Sequence, residues 1–144
     1  MSAEKIIAAA RAKIGTPFRH QGRIAQGVVD CAGMLASVAD DIGADYIDQQ
    51  GYGTHPSNGQ LEAALDAQPC LVRVSLNEMQ PADVLAMKFK IDMQHLAIFV
   101  GFNPVYQAEG IIHAWSQARK VCEHVLTEEW RSRIVRVYRF TEVL

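Results

Sequence analysis

Hydrophobic positions recur at helical spacing over the first part of the chain and in short strand-like runs over the second. Ile6, Ile7, Ala10 and Ile14 share one side of a 3.6-residue repeat, which predicts an amphipathic helix over 3–14. Ser2 is placed to cap it, and Gly15 and Pro17 to end it. Residues 16–29 keep no period and carry Gly22 and Gly27, so they read as a loop. Met34, Leu35, Val38 and Ile42 restore helical spacing after Asp30, an N-cap residue, and Gly43 stops it. Residues 44–56 are irregular, and Ser57-Asn58-Gly59-Gln60 matches a capping box opening a short helix through Leu61, Ala64 and Leu65.

From about residue 70 the pattern changes to β-rich runs: Leu71–Leu76, Val84–Met87, His95–Val100, Gly110–Trp115, Val121–Leu126 and Ile134–Phe140. Pro81-Ala82-Asp83, Gly101 and Asn103-Pro104 mark turns between them, and Thr127 caps one helical turn through Trp130. Strands without helical crossovers pair antiparallel. The expected fold class is therefore α+β, N-terminal helices packed on a mainly antiparallel sheet, in one domain spanning 1–144.

Composition narrows the classes of function. Hydrophobic residues make up 49% and charged residues 21%, ordinary for a globular protein, and the net charge of −2 offers no basic surface for nucleic acid or an anionic membrane. No apolar run approaches the roughly 18 residues that span a bilayer. The N-terminal residues lack the features of a signal peptide, so synthesis in the cytoplasm without one is expected. Cys31, Cys70 and Cys122 are widely spaced, which argues for free thiols rather than disulfides or a structural zinc site.

Candidate chemistry centres on Cys31. At the first position of a helix, unpaired N–H groups and the helix dipole favour a thiolate, which lowers a thiol from its usual pKa of about 8.5 toward neutrality. Such a nucleophile needs a base, usually histidine. His95 opens one strand and His113 lies near the end of the next. In a symmetric hairpin turning at Pro104 they stand nine residues to either side, directly opposed on one face. His20, in the loop before Cys31, is a candidate cleft residue; His55 and His124 read as solvent-facing, and Cys70 and Cys122 as core. No histidine pair shows metal-ligand spacing with a carboxylate, and nucleotide, phosphate and serine-nucleophile motifs are missing, so neither metal nor cofactor is expected.

Asp30-Cys31-Ala32-Gly33, Pro81-Ala82-Asp83-Val84-Leu85, His95-Leu96-Ala97-Ile98-Phe99-Val100-Gly101 and Ile112-His113-Ala114 come in an order that resembles the NlpC/P60 cysteine peptidases. Gly15-Thr16-Pro17-Phe18 and the segments Trp130-Arg131-Ser132-Arg133 and Tyr138-Arg139-Phe140 look like its compact phage-type members. The resemblance implies a papain-like fold with Cys31 as nucleophile, His95 as general base and His113 as the residue orienting it. It implies cleavage of cell-wall peptides between D-γ-glutamyl and diaminopimelate residues. Peptidoglycan stem peptides or muropeptides would be the partners, met from a phage tail beside tail proteins, after lysis, or during recycling in the cytoplasm. Phe18, His20 and Asp30 are the candidate substrate-contacting residues. Many members have a tyrosine at the position of Phe18, and His20 is the nearest polar replacement; Gly101–Gly110 is longer than in many relatives. A thiol amidase or acyltransferase, or a catalytically silent tail-assembly component, are the alternatives.

Overall fold

The computed structural model describes residues 2–49, 51–52, 59–89 and 92–143. The elements are α1 (Ala3–Arg11), α2 (Cys31–Asp41), α3 (Gln60–Asp66), β1 (Leu71–Val74), β2 (Val84–Phe89), β3 (Asp92–Asn103), β4 (Ala108–Trp115), β5 (Lys120–Val125), α4 (Glu128–Arg131) and β6 (Ile134–Phe140). Ser2 caps α1 through the Lys5 N–H, and Thr127 caps α4 through the Trp130 N–H. α1 ends before Ile14, because the chain turns at Gly15 with φ +91°. Ile14 is consequently left 46% exposed, whereas Ile6, Ile7 and Ala10 are buried. β1 stops at Val74 because Leu76–Glu78 wind into a 3-10 turn. Ser57 and Asn58 of the expected capping box lie outside the described residues; α3 starts after Gly59 at φ +75°.

All six strands form one antiparallel sheet in the order β1-β6-β2-β3-β4-β5. Alternation gives it two apolar faces. Leu96, Ile98, Val100, Ile112 and Ala114 pack against Ile6, Met34, Leu35 and Val38 of α1 and α2. Leu85, Met87, Ala97, Phe99 and Ile111 point the other way, toward Leu126 and Trp130.

The β3–β4 register departs from the symmetric hairpin. Asn103 pairs with Ala108 and Gly101 with Gly110, but Phe99 pairs with Ile111 and Ile98 with Ile112, so Val100 is an extra residue on β3. Continued along the strands, this register sets Ala97 opposite His113 and His95 opposite Trp115. The histidines are thus diagonal neighbours and not directly opposed, because the hairpin turns beyond Pro104 and the bulge takes up one residue.

Pro81-Ala82-Asp83 ties the start of β2 to β6. Asp83, 1% exposed, receives a bidentate ion pair from Arg139, Nε to Oδ1 and Nη2 to Oδ2, both 2.9 Å. Arg139 also donates to the Glu78 carbonyl, and the Gln80 N–H donates to Asp83. Removing one partner of a buried pair strands the other charge away from water. Asp83→Ala is therefore expected to cost about 3–5 kcal/mol in urea denaturation, and replacing both residues with leucine to recover most of that loss.

Candidate active site

The loop 16–29 is pinned to the start of α2 by one carboxylate. Asp30 accepts from the Gly33 N–H at 2.7 Å, the Gln21 N–H at 2.9 Å and Arg23 Nη1 at 3.2 Å, and from the Tyr52 hydroxyl. Arg23 reaches on to Asp48 and the Gln49 carbonyl, joining the segment after α2 to the same anchor. Gly33 is required because a Cβ there would overlap the Gly22 carbonyl oxygen. Asp30 is thus the N-cap that the sequence predicts, 4% exposed, and its two oxygens between them position the loop and the helix.

Cys31 opens onto a cavity of about 420 Å³ whose described walls include Tyr46, Gln49, Tyr52, Gln60, Leu61 and Gln94. The thiol is not a ready anion. Burial and the adjacent Asp30 carboxylate push it up to about 12, against the backbone N–H groups of Leu96, Ala32 and Cys31, which pull it down. The helix start contributes the stabilisation that the sequence predicts, but desolvation outweighs it.

His95 and His113 meet on the face away from α2, with His95 Nε2 2.6 Å from His113 Nδ1. His113 Nε2 is in turn 2.8 Å from Nε2 of His124, whose Nδ1 lies 2.8 Å from the Val125 carbonyl oxygen. A carbonyl only accepts, so His124 carries its proton on Nδ1 and offers a lone pair at Nε2. His113 then donates from Nε2 and accepts at Nδ1, and His95 donates from Nε2. The relay leaves the His95 lone pair on Nδ1, which takes part in no hydrogen bond among the described residues. Trp115 stacks on His113 at 5.6 Å, and Trp130 meets it edge to face at 4.9 Å. His124 is thus half-buried within the relay, not turned to solvent, and Cys122 stands opposite His113 rather than in the core. The sequence signal for both is Cys122-x-His124, two alternate strand positions facing a third residue across the ladder.

The described hydrogen bonds join the two histidines to each other but not to Cys31, which meets β3 at the Leu96 N–H, one residue along from His95. Phe18 packs against the helical core, bridging to Val29, and lies outside the described cavity wall. His20 is exposed and sits edge-on to Tyr52, ring centroids 5.6 Å apart. Tyr52 brings a hydroxyl to the cavity wall, where it donates to Asp30. His55 lies outside the described residues, and Cys70 is buried, as expected of a core residue. Among the described residues no helix is long and apolar enough to cross a membrane.

The NlpC/P60 family model matches residues 15–139. The chain belongs to the NlpC/P60 family. With it goes membership of the cysteine peptidases and hydrolases, and the helices on a six-stranded antiparallel sheet are its papain-like fold. An NlpC/P60 family protein from Bacillus cereus superposes with a TM-score of 0.69 at 18% identity, over 97% of this chain and 40% of that one. The NlpC/P60 domain of the peptidoglycan hydrolase SagA gives 0.64 at 20% identity, over 97% of this chain and 100% of that one. The peptidoglycan hydrolase RipB from Mycobacterium tuberculosis gives 0.62 at 15%, over 95% and 63%. The chain thus spans about two-fifths of the Bacillus cereus protein and the whole of the SagA domain. No curated protein sequence matches it.

Burial makes the NlpC/P60 histidine pair a stability determinant. Desolvation, then Arg133 and His124, lower His95 from 6.5 to about 3; desolvation, then His95 and His124, lower His113 to about 2. Below about pH 6.5 the unfolded chain takes up protons that the folded histidines refuse. Their contribution is whole above that pH and is lost as pH falls from 6.5 toward 3, by up to about 1.4 kcal/mol per unit for each residue. Urea midpoints measured from pH 7.5 down to 4 should fall in the wild type and fall less steeply in His95→Gln.

Proposed function

We propose that this NlpC/P60 domain is a cysteine endopeptidase that cleaves cell-wall stem peptides at D-γ-glutamyl-diaminopimelate bonds. The observation that carries the reading is a thiol at a helix start, open to a cavity and touching the strand that bears a base-oriented histidine. The peptidoglycan hydrolases SagA and RipB among its structural neighbours support the substrate class.

In this mechanism both partners begin neutral, because burial disfavours thiolate and imidazolium alike. The Cys31 sulfur attacks the amide carbonyl while its proton passes to His95 Nδ1, the one ring position that the relay leaves free. The imidazolium then protonates the leaving amine, and the C–N bond breaks to give a thioester. Water, deprotonated by His95, hydrolyses the thioester and returns the thiol. His113 and His124 stay out of bond making; they fix the tautomer of His95. Cys31 meets β3 one residue along from His95 and from the opposite face, so the transfer requires the two side chains to close on one another when substrate binds.

Digestion of purified peptidoglycan followed by mass spectrometry tests the reading. Wild type should release fragments ending at D-γ-glutamyl residues. Cys31→Ala and His95→Ala should each fall to about one-thousandth of that rate or less, and the double variant no further, because the two act as a unit. Identical digests from wild type and Cys31→Ala would reject the assignment. Release of whole stem peptides would make the enzyme an amidase.

A further inference from the structure

We propose that His113, Cys122 and His124 form a binding site for a zinc-class divalent cation, and that filling it switches the hydrolase off. The site stands on geometry alone; the switch rests on His95 being the base. One ligand atom from each of the three residues falls within 4.8 Å of the others. Cys122 and His124 are alternate residues of β5 and share a face, and Cys122 is the direct cross-strand partner of His113. Two imidazoles and a thiolate with a fourth position open suit a tetrahedral ion with Zn–N about 2.0–2.1 Å and Zn–S about 2.3 Å. His124 is already arranged as a ligand, its Nδ1–H held by the Val125 carbonyl and its Nε2 lone pair directed at the cluster. Opening the 2.8 Å gap between the two Nε2 atoms by about half an ångström admits the metal. Cys122 and His124 are only half-buried, so the ion enters from solvent.

The proton balance links this site to the reaction. Coordination takes the Nε2 lone pair of His113, so its proton must sit on Nδ1, pointing at His95 Nε2. His95 must then accept at Nε2 and carry its own proton on Nδ1. His113 and His95 each keep one proton but change tautomer, His124 keeps its own, and only the Cys122 thiol proton leaves for solvent. His95 Nδ1, now an N–H, has no lone pair for the proton of Cys31.

Cobalt(II) added to the metal-free full chain reports binding without any assay of activity. A thiolate-to-cobalt charge-transfer band with four-coordinate d–d bands is expected at one equivalent in wild type and in Cys31→Ser, and not in Cys122→Ser. Zinc(II) should displace the cobalt and slow wild-type peptidoglycan hydrolysis by about a hundredfold or more. Cys122→Ser should match the metal-free wild-type rate and be unaffected by zinc; Cys122→Ala serves if the serine variant fails to fold. A band that survives loss of Cys122, or vanishes with Cys31, overturns the site. Zinc binding through Cys122 with an unchanged rate, or inhibition that persists in Cys122→Ser, overturns the switch. A metal-free wild type with no hydrolytic activity would reject the functional assignment and leave the cobalt spectra to decide the site.

Discussion

Between Phe99 and Gly101 strand β3 carries one residue more than β4, and the parity of the hairpin hangs on that bulge. In the register nearer the turn, His95 and His113 would project from opposite faces. After the extra residue they share one face, two positions apart, and their rings come within 2.6 Å. The rest of the site follows from that contact. His124 joins because β5 pairs with β4, and Trp115 and Trp130 close over the three rings.

On the other side of the sheet a second constraint operates through Asp30. Its carboxylate holds the preceding loop, caps the helix and ties in Tyr52, which sets one wall of the cavity. The same charge raises the neighbouring thiol. Rigid placement of Cys31 thus comes with a thiolate that is costly to form, which is why the proposed mechanism moves the proton during attack instead of before it.

Much of this was legible in the sequence where a local cause suffices. The caps at Ser2, Asp30 and Thr127, the helical stripe Met34-Leu35-Val38 and the period-two strands each depend on neighbours within a few residues. What escaped depends on partners far along the chain. Ile14 fits the stripe of α1, yet the helix stops first. His124 sits beside Glu123 and reads as outward until the β4–β5 register sets it against His113. Asp30 reads as an N-cap, and is one, but its further partners Gln21, Arg23 and Tyr52 are not visible from the sequence around it. The turn position and the bulge each displaced the histidine register, and the two shifts together preserved the shared face by parity.

The histidine relay ends on the main chain, at the carbonyl of Val125. A carboxylate in that place could be lost by a single codon change or neutralised by acid. A peptide carbonyl is common to all twenty residue types and does not titrate. The sense in which protons are ordered along the three imidazoles is therefore inherited from the path of β5 and not from the side chain at its end. Position 125 is free to drift chemically without disturbing the polarity of the site, provided the strand keeps its course.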